Sequence, residues 1–162
     1  MQDDIFIEIY KKYHVYVYRY LMGLTSNHQT AEDLTQETFV KALCVLQSPG
    51  TNIKAWLLTV AHNLYVDHVK KSGRLDYKNN DFFNSMETGD FSNKLVEQEN
   101  NKRLLTMIAN LPENQRQALL LCVINGLTHI QAAKILGISV SSVTNLIYRA
   151  RKTLRAERNN NE

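Results

Sequence analysis

The stretch from Leu127 to Arg155, LTHIQAAKILGISVSSVTNLIYRARKTLR, leaves few folds open to this chain. Its apolar residues recur at helical spacing, break at Gly137 and resume, so it reads as two helices meeting at a steep angle around a short turn. Ala133 is small where a neighbouring helix must come close, and Gly137 can take the positive φ that a turn after a helix often needs. Ser139 stands where an N-cap belongs, its hydroxyl free to accept a backbone N–H of the next helix. In that second helix Val143, Ile147, Ala150 and Leu154 share one face, which leaves Ser141, Ser142, Asn145, Tyr148, Arg149 and Lys152 pointing outward. Those side chains can donate to base edges and phosphates, as a groove-reading helix must.

An ordinary amphipathic hairpin with a solvated basic face would supply the apolar spacing by itself. What sets this stretch apart is the coincidence of small residue, turn glycine, cap and basic end. From Lys134 to Arg158 six cations stand against Glu157, a net of +5, while the whole chain carries only +3. A local positive field of this kind is the electrostatic footprint of nucleic-acid binding.

The rest of the sequence narrows the classes further. With 162 residues the chain can make one medium domain or two small ones, and two prolines and six glycines favour helices over a many-stranded sandwich. No run approaches the roughly 18 consecutive apolar residues of a membrane span, so no direct membrane insertion is expected. The start, with Gln2, Asp3 and Asp4, lacks the basic and apolar blocks of a signal peptide, which points to the cytoplasm. Cys44 and Cys122 fit no metal-ligand spacing and read as reduced thiols. The histidines are scattered, and there is no HExxH, phosphate loop or GxSxG. The sequence therefore offers no warrant for an enzyme, a metal or a cofactor.

Taken in order, the chain opens with a helical pattern from Asp4 to about Leu24, its apolar side at Ile5, Ile9, Val17, Tyr20, Leu21 and Leu24. A second helix is expected from Thr30 to about Leu46, with Thr30 and Asp33 spaced as a capping box. Its buried stripe would be Ala31, Leu34, Thr38, Ala42 and Val45, flanked by Phe39 and Leu46. The opposite side carries Glu32, Asp33, Gln36, Glu37, Val40, Lys41 and Cys44. Acids in a first turn satisfy the helix dipole, but that leaves Glu37 and an outward Val40 unexplained. After a turn at Ser48 to Thr51, a third helix runs from about Asn52 to Ser72. Ile53, Trp56, Leu57, Val60, Ala61 and Leu64 should face the core, with Ala55, Thr59, His62, Asn63, Val66 and Lys70 on the far side. Tyr65, Val66 and Val69 lie outside the main stripe. Aromatic and apolar side chains beside Lys70, Lys71 and Arg74 suit a single nucleic-acid strand, whose bases stack while its phosphates are neutralised.

From Asp76 to Glu99 the net charge is −4, and Asn, Ser and Gly interleave with Phe82, Phe83 and Phe91. This composition suits a flexible linker, and its acidity argues against lying on DNA. A helix with Leu95, Leu104, Leu105 and Ile108 follows and ends before Pro112, which opens the next, carrying Ala118, Leu119, Leu121, Cys122 and Ile124. Gly126 ends it ahead of the hairpin. The expected fold is all-α: a three-helix N-terminal bundle (residues 1–74), a flexible acidic linker (75–96) and a C-terminal helix-turn-helix domain (97–158).

These residues also carry a resemblance. AEDLTQETFVKAL (Ala31 to Leu43) resembles the core-polymerase-binding segment of the extracytoplasmic-function (ECF) sigma factors, minimal members of the bacterial sigma-70 class. KAWLLTVAHNLYVDHVKK (Lys54 to Lys71) resembles their strand-opening, minus-10-reading helix. LPENQRQALLL (Leu111 to Leu121), then GLTHIQAAKILGIS and RARKTLR, resemble their minus-35-reading domain. Three segments in the right order, with the right linker, are specific.

The resemblance implies a promoter-specificity subunit whose partners are core RNA polymerase and promoter DNA, usually held inactive by an anti-sigma factor, often membrane-bound. It assigns core-polymerase binding to Asp33, Gln36, Glu37, Val40 and Lys41. Minus-10 DNA falls to Lys54, Trp56, Thr59, His62, Asn63, Val66, Lys70, Lys71 and Arg74, the loop from Leu46 to Ala55 helping to capture a flipped base. Minus-35 DNA falls to Ser139, Ser141, Ser142, Thr144, Asn145, Tyr148, Arg149, Arg151 and Lys152. Thr144 and Leu146 stand where the family often has Lys and Arg. The rival from another class is a stand-alone dimeric helix-turn-helix regulator, binding a palindrome without polymerase. A recombinase would need a catalytic module that the sequence does not show.

Overall fold

The computed structural model describes residues 2–45, 52–72 and 95–160. The chain divides into two compact units, Met1–Asn79 and Asn80–Glu162. The stretch read as a linker, Arg74 and the turn at Ser48 to Thr51 fall largely outside the described residues, although the helix after the linker already begins at Leu95.

In the first unit, α1 (Gln2–Thr25), α2 (His28–Val45) and α3 (Ile53–Ser72) pack around one core. Ile9, Val17, Tyr20, Leu21 and Leu24 of α1 are buried with Ala31, Leu34, Phe39 and Ala42 of α2. Ile5, expected on that side, is exposed. The first helix runs through Gly23 and stops at Ser26, whose φ of 52° is left-handed and whose N–H still donates to the Met22 carbonyl at 2.9 Å. Thr30 does not cap the second helix. Asn27 does, its Oδ1 accepting the Thr30 N–H at 3.0 Å, so α2 starts earlier than the capping-box spacing implied. At the other end Val45 is exposed, while Thr35 joins the buried stripe with its hydroxyl donating to the Ala31 carbonyl at 2.6 Å.

Helix α3 sits in a different rotation from the expected one. Leu57, Leu58, Ala61, His62, Leu64 and Tyr65 are buried, while Ile53, Trp56 and Val60 are only half-buried. The buried face lies roughly one residue's turn, ~100°, round the helix. The cause is a polar pair: the Tyr20 hydroxyl and His62 Nδ1 meet at 2.9 Å, so an imidazole can be buried against α1 without an orphaned nitrogen there. A second tie holds α1 to the start of α2, where the Tyr18 hydroxyl meets His28 Nδ1 at 2.7 Å and His28 Nε2 lies 3.2 Å from Glu32.

The second unit begins with α4 (Leu95–Ala109), which buries Ile108 but leaves Leu104 exposed. Pro112, at φ −52°, sits at the N-cap of α5 (Glu113–Leu119) rather than inside it. Arg116 of α5 donates from Nη1 to the Ala109 carbonyl at 2.9 Å and so closes the end of α4. The helix expected to run on through Ile124 widens instead into a π-helical turn, Leu120–Ile124. Asn125 stabilises it twice, through its N–H (3.1 Å) and its Nδ2 (2.7 Å), both donated to the Leu120 carbonyl. Leu120 and Leu121 thereby stay in the core while Ile124 turns to the surface.

Next come α6 (His129–Leu136) and α7 (Val140–Asn160), whose axes bend by 102° at the turn between them. Thr128 and Gln131 form a complete capping box: Thr128 Oγ1 accepts the Gln131 N–H at 3.1 Å, and Gln131 Oε1 accepts the Thr128 N–H at 2.9 Å. Gly137 closes α6 at φ 68°, and Ser139 Oγ caps α7 by accepting the Ser142 N–H at 3.1 Å. Among the described residues no single helix is long and apolar enough to cross a membrane. Replacing Thr128 with Ala should lower the unfolding free energy of the second unit by ~1 kcal/mol, and Thr128→Ser by little, in urea titrations followed by circular dichroism.

Candidate functional site

Three outward faces carry the residues singled out from sequence. On α7, Val143, Ile147 and Ala150 are buried against α5 and α6, so Ser141, Asn145, Tyr148, Arg149, Arg151 and Lys152 are forced outward. Tyr148 is 66% exposed, more than packing would leave it. Ser139, Ser141 and Ser142 form a hydroxyl cluster at the helix start: Ser139 Oγ donates to Ser142 Oγ at 2.8 Å and lies 3.2 Å from Ser141 Oγ. Ser142 is half-buried, and Thr144 is exposed but engaged. Thr144 Oγ1 donates to the Val140 carbonyl (3.1 Å) and meets His129 Nδ1 (3.0 Å), tying the start of α6 to the middle of α7.

Beside this face an open cleft of about 390 Å³ runs between α5, the turn and α7. Asn114, Gln117, Asn145 and Arg149 line it with polar groups, and Leu136, Ile138 and Leu146 with apolar ones. Asn114 and Gln117 were not singled out from sequence, although their i,i+3 spacing on the polar side of α5 is a readable signal. The cleft offers amide and guanidinium donors of the kind that grip a phosphate backbone.

On α2, Asp33, Gln36, Glu37, Val40 and Lys41 are all exposed, Val40 at 59%. Gln29 Nε2 donates to Asp33 Oδ1 at 3.0 Å, which steadies that carboxylate at the surface. Leu43 and Val45 are exposed too, so the carboxylates continue into an apolar end that the sequence reading had partly assigned to the core. Cys44 is exposed among them, whereas burial pushes the Cys122 thiol above its ordinary range. Both are free, and no group of His, Cys, Asp or Glu among the described residues could hold a metal ion.

On α3 the set divides. Asn63, Lys70 and Lys71 are exposed, and Trp56, Thr59 and Val66 are half-buried, Thr59 donating its hydroxyl to the Ala55 carbonyl at 2.7 Å. Lys54 holds its ammonium 4.0 Å over the Tyr16 ring of α1. His62 was expected outward and is instead 7% exposed against Tyr20, and Tyr65 is buried as well. Neither can reach a nucleic-acid strand from that position. Arg74 and most of the loop from Leu46 to Ala55 lie outside the described residues.

Residues 9–75 match the family model described as sigma-70 region 2, and residues 101–154 that of sigma-70 region 4. The chain is 33% identical over 150 residues to the ECF RNA polymerase sigma factor SigM of Bacillus subtilis, covering 92% of each chain. It is also 33% identical over 158 residues to the ECF RNA polymerase sigma factor BldN of Streptomyces coelicolor, covering 94% of this chain and 60% of that one. Among solved structures, the sigma factor RpoE of Bartonella quintana, crystallised with the anti-sigma factor NepR, superposes with a TM-score of 0.74 over 96% of both chains at 24% identity, a likeness of fold.

Proposed function

The chain belongs to the ECF RNA polymerase sigma factors of the sigma-70 class, and from that membership we propose how its residues divide the work of promoter-specific initiation. A sigma factor binds core RNA polymerase and directs transcription from chosen promoters. Membership sets aside the stand-alone dimeric regulator. RNA synthesis belongs to the polymerase, so this subunit needs no catalytic group, metal or cofactor of its own. It works in the cytoplasm, where the polymerase is.

Residues 1–74 serve as the unit that joins the polymerase and opens the duplex, residues 75–96 as the linker, and residues 97–158 as the minus-35 reader. The α2 face of Asp33, Gln36, Glu37, Val40 and Lys41 meets the polymerase. The observation that carries this assignment is Val40 at 59% exposure amid carboxylates: with α2 starting at His28 its first turn holds no acid, so the helix dipole accounts for neither Asp33 nor Glu37, and solvation does not account for Val40. Carboxylates around an apolar centre suit a basic protein surface with a hydrophobic contact at its middle.

Asn63, Thr59 and Val66 on α3, with Lys54 and Trp56 at its start, hold the minus-10 strand, while Lys70, Lys71 and Arg74 neutralise its phosphates. Extruding a base costs a few kcal/mol, and polar groups beside apolar walls offset that cost. His62 serves by position, holding α3 against α1. On α7, Ser141, Asn145, Tyr148 and Arg149 meet base edges. Ser139, Ser142 and Thr144 set the helix start, and Arg151 and Lys152 contact phosphates. An anti-sigma partner, such as the one crystallised with the Bartonella relative, holds the factor inactive until a signal releases it.

Reversing charge at Asp33 and Glu37 together should weaken core binding by about tenfold or more in a competition assay, with the circular dichroism spectrum unchanged; unaltered affinity would remove this face from the interface. Replacing Arg149 with Ala should weaken minus-35 duplex binding by ~1–3 kcal/mol if the guanidinium pairs with a guanine edge, and relax sequence preference there. A uniform loss across sequences would assign Arg149 to phosphate instead.

A further inference from the structure

Two contacts draw the seam between α1 and α3: Lys54 Nζ over the Tyr16 ring at 4.0 Å, and the Tyr20 hydroxyl against His62 Nδ1 at 2.9 Å. At ~100° per residue, Lys12, Tyr16 and Arg19 form one stripe of α1 beside that seam. They lie on the flank away from Tyr18, whose hydroxyl reaches α2. Lys12 and Arg19 are exposed, Tyr16 is 36% exposed, and Lys12 Nζ also lies 5.4 Å from the Tyr13 ring. Among the described residues neither Lys12 nor Arg19 is held by a carboxylate, and the acid on the stripe is Glu8, one turn toward the N-terminus.

On α3, His62 marks the edge that meets α1. Its wheel neighbours Thr59 and Val66 lie just outside that edge, and Asn63 and Lys70 lie beyond them. The outer surface therefore passes from the α1 stripe across the seam, where Lys54 lies over the Tyr16 ring, to the strand-holding face of α3. A helix face that needed only solvation would not hold a tyrosine ring half-exposed under a cation.

We propose that Lys12, Tyr16 and Arg19 form a further binding site for single-stranded promoter DNA, continuous with the α3 face. This rests on the strand-opening role given to α3 above. The cations neutralise phosphates and the tyrosine ring offers a stacking platform to a base, a combination that tolerates any sequence. An acidic protein surface would also be drawn to the cations, but it would have little use for an aromatic ring set between them.

The test uses holoenzyme reconstituted from the full chain and core polymerase. The probe is a fork-junction DNA whose non-template strand is single-stranded from the minus-10 element onward, carrying a promoter that the holoenzyme selects from a random-sequence pool. Tyr16→Ala should weaken fork binding roughly tenfold and Tyr16→Phe should restore it. The double variant Lys12→Gln, Arg19→Gln should reduce the slope of log affinity against log salt by ~1.4. Core affinity should stay unchanged in all three. Unchanged fork affinity and salt slope would overturn the site, and so would a loss confined to core affinity, which would make the stripe a protein contact. Lys70→Gln with Lys71→Gln runs in parallel. If that variant loses fork binding while the α1 variants do not, only this inference fails; if neither set loses it, the strand-opening role itself fails.

Discussion

The turn before helix α7 fixes the direction in which that helix faces. The bend of 102° between α6 and α7 rests on Gly137 in the left-handed region, Ala133 small enough for close approach, and caps at Thr128 and Ser139. The two caps and the turn at Gly137 satisfy backbone donors and acceptors that the facing helix ends would otherwise leave open. With the angle set, burying Val143, Ile147 and Ala150 turns the other side of α7, with its cations, toward solvent. His129 adds a cross-link through Thr144 that keeps the two helices in step. The outward surface of α7 is thus a by-product of packing: what the core excludes is what this helix offers to a partner.

The first unit applies the same logic. Its core is largely aliphatic and aromatic, yet the contact that orients α3 is polar, Tyr20 to His62. A buried polar pair specifies rotation more sharply than apolar packing alone, because a slip of the helix would break the hydrogen bond between the two groups. Once α3 is set, Asn63, Lys70 and Lys71 have one direction left to face. On α2 the unused side carries Asp33, Glu37 and Val40, a combination that water alone does not select.

The hairpin was legible because its signals are local. A glycine, a small residue and a capping hydroxyl each state a backbone requirement within a few positions, and all of them hold in the structure. The three helices of the first unit were legible as helices for the same reason. The rotation of α3 was not, because the stretch is apolar on nearly every side and the deciding contact comes from Tyr20, far away in sequence. His62 was therefore assigned to the wrong face. The π-helical turn at Leu120–Ile124 also escaped, since its cause is a side-chain amide at Asn125 competing for a backbone carbonyl that an α-helix would use. Asn27 displaced Thr30 as the cap of α2 in the same way, one short polar side chain outbidding another. Asn114 and Gln117 became visible only when α5 and α7 were seen to enclose a cleft.

The account stands on one claim: the outward faces left by two helical units serve a polymerase and its promoter together. Initiation by purified core RNA polymerase on a promoter fragment, with and without the chain, tests it most directly. RNA starting at one defined position should appear only when chain and core are both present. The account is contradicted if the chain neither joins the core nor yields such a transcript, while binding a palindromic duplex tightly as a dimer.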